Sequence, residues 1–131
     1  MTLEQRIEMM EATGVISPAT TQKLAHLRGL FAERFGIRLT EENAAGCITH
    51  FALALERLAR GETVEPASDL VMEELRRHPD FETACYLTDH ILDQVAPLPE
   101  PERRYVLLHV ITVLTRVREE YDRQVREDHQ S

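Results

Sequence analysis

Tryptophan is missing from this 131-residue chain, aromatic residues make up only 5% of it, and cysteine occurs twice. So few rings argue against a base-stacking surface, which depends on exposed aromatics set between basic residues. Positive charge is scarce as well: 15 lysines and arginines stand against 23 acidic residues, a formal net charge of −8. A surface of that sign repels phosphate backbones, so direct nucleic-acid binding is not expected. The chain has no apolar run of the roughly 18 residues that a membrane-spanning helix needs. Met1 is followed by Glu4, Arg6 and Glu8, not by a basic and then apolar leader. Neither membrane nor export is expected, and the expected compartment is the cytoplasm. Cys47 and Cys85 lie far apart in apolar runs, which suits free thiols in a reducing environment.

What remains is an ordinary globular balance, 43% hydrophobic and 29% charged, in a length that suits one domain spanning 1–131. Apolar residues recur at three- and four-residue spacing and no alternating run is bounded by turn pairs, so the expectation is all-α: a compact bundle of about five to six helices. Thr2 with Gln5 makes a capping-box pattern ahead of Leu3, Ile7 and Met10, and Gly14 closes this N-terminal helical extension, which covers 1–16. Ser17 and Pro18 open a second helix with a stripe of Leu24, Leu27, Phe31 and Phe35, ending at Gly36. Thr40 caps a third, with Ala44, Ile48, Phe51, Leu55 and Leu58 as its inner stripe and Gly61 as its stop. Ser68 caps a brief fourth through Leu70, Val71 and Leu75. A fifth runs from Phe81 to Val95, and Pro101 opens the longest, whose stripe is Val106, Val110, Val113, Val117 and Tyr121. The polar helix end over 118–131 is either solvated or paired with another subunit.

Two of the six histidines, His50 and His109, lie mid-helix beside an apolar stripe, and each is followed seven residues later by an arginine, Arg57 and Arg116. Seven residues are about two helical turns, so each arginine shares its histidine's face and is a candidate partner for an anion placed on the imidazole. The other reading of both rings is the ordinary one, half-buried histidines hydrogen-bonded to a neighbouring helix.

Local sequence adds a resemblance. The run LTEENAAGCITHFALALERLARGE at 39–62, with Thr49, His50, Arg57 and Gly61, resembles the first histidine segment of the bacterial PTS regulation domain (PRD) family. The run LPEPERRYVLLHVITVL at 98–114 is similar to that family's other histidine segment through Leu98, Pro99, Glu102, Leu108 and His109, and HPDFETACYLTDHI at 78–91 looks like its linking helix. The likeness spans about residues 24–117. It implies a helical module of antiterminators and transcription activators that commonly forms a homodimer. It also implies that His50 and His109 accept phosphate from the histidine phosphocarrier HPr or from sugar-transporter subunits. Neutral imidazole is a nucleophile near physiological pH, and its phosphorylated form carries new negative charge.

The chain departs from the family pattern in two ways. Members typically carry two copies behind a nucleic-acid-binding domain, whereas this sequence shows one copy with 23 residues before it, so the expected output is contact with another protein, an effector not identified by sequence. Gly46 and Cys47 stand where larger aliphatics are usual. His90, after Thr88 and Asp89, is either an auxiliary site near His50 or a surface histidine, and Glu102 is either part of the site or a charge that compensates its helix dipole. His26 and His78 add no metal motif, since no HExxH, HxH or CxxC occurs. No metal, cofactor or enzymatic turnover is expected. The function expected is a phosphorylation-responsive regulatory domain. A structural adaptor bundle that has lost phosphorylation is the main alternative, and an enzyme or metal-binding protein using a histidine-lined cleft is a further one.

Overall fold

A computed structural model describes residues 1–130; Ser131, the last residue of the expected polar end, lies outside the described residues. Six helices follow one another in the chain: α1 (Leu3–Ala12), α2 (Pro18–Phe35), α3 (Glu41–Ala59), α4 (Asp69–Arg76), α5 (Phe81–Gln94) and α6 (Glu100–Gln130). No strand occurs among the described residues, so the protein is an all-α bundle. No helix among them is long and apolar enough to cross a membrane.

The helix ends follow local chemistry. The Ser17 hydroxyl accepts from the Thr20 backbone N–H with Pro18 in the first turn, and α2 stops at Gly36, whose φ of 65° is a left-handed conformation that a side chain would strain. Thr40 and Asn43 form a reciprocal box at the start of α3. The Thr40 hydroxyl accepts from the Asn43 N–H at 3.2 Å, and the Asn43 side chain accepts from the Thr40 N–H at 2.8 Å. Asn43 then donates to the Arg38 carbonyl, which ties the α2–α3 loop to the cap. Replacing Thr40 with alanine removes the acceptor of the Asn43 N–H and is expected to cost about 1 kcal/mol, read as a lower urea midpoint with an unchanged slope.

The helices pack so that α3 sits between α2 and α6, and α6 between α3 and α5, while α1 covers α2 and α3. The stripes of α2 and α3 are buried as expected at Leu24, Leu27, Phe31, Ala44, Ile48, Phe51 and Leu55, and they meet Val106, Leu107, Val110 and Val113 of α6. The N-terminal segment is no loose appendage, because Leu3, Ile7 and Ile16 are in the core. Glu56 joins α3 to the start of α2. It accepts from the Ser17 N–H at 2.8 Å and the Thr20 hydroxyl at 2.7 Å, and these two donors hold its carboxyl below the usual range.

Three helices depart from the expected pattern. Leu58, the last residue but one of α3, is 42% exposed. In α4 the buried face carries Met72 and Leu75, while Leu70 and Val71 point to solvent. An eight-residue helix has too few turns for periodicity to choose its inner face; its partner chooses. The stripe of α6 leaves the core after Val113: Val117 is only partly buried and Tyr121 is 69% exposed. An ion pair from Arg118 to Asp80 ties α6 to the start of α5 beyond that point, and residues 121–130 are exposed throughout.

Candidate functional site

The site lies on the longest seam of the bundle, where α3 and α6 run antiparallel. Its register is visible in three cross-links: His50 opposes His109, Arg57 opposes Glu102, and Arg116 reaches Glu42. Seven steps forward on α3 match seven steps back on α6. The two histidines meet at the centre of this seam, their ring centroids 4.1 Å apart and their planes 28° from parallel, a stacked pair.

The partners are not equivalent. His50 is exposed and His109 half-buried. The His109 Nδ1 lies on the side of α3 that carries Gly46, 3.9 Å from where a Cβ would stand, an ordinary van der Waals distance. Burial, with the His50 charge second, pulls the His109 pKa down from 6.5 to about 4. At neutral pH His109 is therefore an uncharged imidazole with one nitrogen lone pair free.

Arg57 and Glu102 sit two turns from the histidines. Arg57 Nε donates to Glu102 Oε1 at 2.8 Å and Nη2 donates to Oε2 at 3.1 Å, a bidentate pair. Glu102 is 4% exposed although it stands in the first turn of α6, so its carboxylate faces a guanidinium as well as a helix N-terminus. Arg57 in turn has its pKa raised, chiefly by this hydrogen bond.

Between these pairs a pocket opens, lined by Cys47, Phe51, Ala54, Tyr105 and Val106 together with the two histidines, Arg57 and Glu102. It adjoins a second, more open depression over His50, Arg57 and Tyr105, rimmed by Val64 and Glu65. Tyr105 fastens that rim by donating its hydroxyl to the Glu65 carbonyl at 2.8 Å. The Cys47 thiol, pushed up to about 12 by burial, is protonated and offers no thiolate.

Of the residues singled out by sequence, the structure thus brings together His50, His109, Arg57 and Glu102. Arg116 stands apart. Because α3 and α6 are antiparallel, the same seven-residue offset carries Arg57 toward one end of the seam and Arg116 toward the other. Its Nη1 donates to the Glu42 carbonyl at 3.0 Å, and it does not line the pocket. His90 is also elsewhere. It packs edge-on against Tyr86, with centroids 4.5 Å apart, and against Phe35 at 6.1 Å, on the side where α5 meets α2. His78 accepts from the Asp80 N–H at 3.0 Å and faces Thr115, and His26 is exposed on α2. Among the described residues no group of three or more His, Cys, Asp or Glu is placed to hold a metal ion. Tyr105 was missed; it lies four residues before His109, a spacing that already put it on the same face.

The fold and site define an all-α bundle with a paired-histidine cleft on its central seam. Set against family models, curated proteins and solved structures, the chain matches none of them.

Proposed function

We propose that this protein is a phosphorylation-responsive regulatory domain of bacterial carbohydrate control, a member in function of the PTS regulation domain class, acting through protein contacts. In this reading His50 and His109 accept phosphate from HPr or a sugar-transporter subunit, and the domain turns over no substrate. The carrying observation is the stacked pair itself: two imidazoles far apart in sequence, side by side in a cleft open to solvent. A neutral His109 supplies a lone pair at physiological pH, and exposed His50 is within reach of a donor protein. In the transfer from the phosphocarrier an N–P bond forms on the acceptor ring as the N–P bond on the donor's histidine breaks; the acceptor ring releases its proton and the donor ring takes one up. Arg57 stands in the same cleft as a candidate partner for the new charge. The added charge, placed between α3 and α6, would alter which surface a second subunit or an effector prefers.

A second reading has its own support. Arg57 already makes a bidentate pair with Glu102, as it would if the seam were only structural, and in that case the chain is an adaptor bundle. Incubation with enzyme I, the phosphocarrier and phosphoenolpyruvate separates the two. The regulatory reading expects an acid-labile gain of one phosphoryl mass that disappears in the His50→Ala/His109→Ala double variant. No gain from any phosphorylated donor leaves the adaptor.

A further inference from the structure

We infer that the His50–His109 pair has a capacity of one: a phosphoryl group on either ring closes the other ring to phosphorylation. This rests on the reading of the pair as a phosphate acceptor and concerns how that site is controlled.

Proximity is the first ground. With centroids 4.1 Å apart and the planes nearly parallel, groups bonded to the two rings share one small cleft. A phosphoryl group carries between about −1.5 and −2 charges at neutral pH, so double occupancy would gather about three to four negative charges there. Their repulsion grows with the low dielectric of a half-buried site.

Counter-charge is the second. Arg57 is the one lysine or arginine lining the pocket among the described residues, and Glu102 accepts both of its inward donors. The cleft is therefore close to neutral before any phosphate arrives. One phosphoryl group can draw Arg57 into a shared arrangement; a second finds no cation left. Arg116 does not supply one, because it is turned to the Glu42 carbonyl at the far end of the seam.

Confinement is the third. His109 is half-buried on the α3–α6 seam with His50 stacked on one face, so swinging its ring outward to separate the two groups breaks the stack and uncovers the seam. A site with two acceptors and room for one phosphate treats two donors as alternatives: whichever arrives first shuts out the other, and the module reports that one has acted.

Potassium phosphoramidate tests this without any donor protein. The ring lone pair forms an N–P bond, the P–N bond of phosphoramidate breaks, ammonia leaves, and the proton on the ring's other nitrogen goes to solvent. The native chain, His50→Ala, His109→Ala and the double variant are driven to full incorporation and weighed intact. His26, His78, His90 and His129 react alike in all four, so differences isolate the pair. The expected result is that the native chain exceeds the double variant by one phosphoryl group and equals each single variant. The single variants also guard the comparison if the double variant misfolds. An excess of two, an excess of zero, or one single variant falling short of the native chain overturns the inference. Failure of the phosphocarrier to phosphorylate the protein would count against the regulatory reading while leaving this count intact.

Discussion

Replacing Arg57 with methionine is expected to destabilise the protein by about 3 kcal/mol, lowering its melting temperature by about 10 °C. The size follows from Glu102, which is 4% exposed and has both carboxylate oxygens on this one guanidinium. Remove the guanidinium and a buried carboxylate is left without a counter-charge, a situation that typically costs about 3 to 5 kcal/mol. The lower end applies because the Arg57 side chain is 24% exposed and water can enter where it was. Replacing both residues with methionine should return most of the loss, to within about 1 kcal/mol of the native chain, since two packed apolar side chains need no counter-charge. Urea unfolding of the native, Arg57→Met, Glu102→Met and doubly replaced proteins measures the coupling directly. If the two single losses simply add, the pair is an ordinary surface contact and its place in the site is accidental.

The same pair marks the limit of what could be read from sequence. Helix ends were legible because caps are local: Ser17 with Pro18, Thr40, Ser68 and Gly36 each act within three or four residues of themselves, and each ends or begins a helix where expected. The long stripes of α2 and α3 were legible because many turns average out local noise. Leu58, Leu70 and Val71 were misjudged because burial there is set by what the neighbouring helices cover, which no local pattern encodes. His50 and His109 stood out by their position beside apolar stripes, but that they touch depends on the antiparallel register of α3 and α6. Register also decides the two arginines. An offset of seven residues is the same in both helices, yet the opposed directions bring Arg57 to the pocket and take Arg116 to Glu42. Sequence left Glu102 open between a site residue and a dipole-compensating charge, because its partner is 45 positions away.

Acidification should reveal His109 directly. Its pKa falls from 6.5 to about 4, mainly through burial and secondarily through His50, so the folded protein binds this proton more weakly than the unfolded chain does. For a base depressed on folding, stability is complete above the unfolded value and is lost as pH falls from about 6.5 toward 4. Taken whole, that linkage is worth about 3 kcal/mol; solvent at the ring's open edge screens part of it, so the expected loss is about 2 kcal/mol. Glu4, Glu41 and Glu56 have lowered carboxyl values and also lose stabilisation in acid, so the native protein alone cannot assign the effect. Comparison with His109→Asn does assign it, because those carboxylates are common to both chains and cancel. Between about pH 7 and 4.5 the native protein should lose stability faster than the variant; equal losses would mean that the ring is not held neutral. His50→Ala should shrink the difference by removing the second cause of the shift. The consequence for function follows from the same balance. The burial that makes protonation costly keeps a lone pair available on His109 across the physiological range, so the readiness to accept an electrophile is maintained by the packing of α3 against α6.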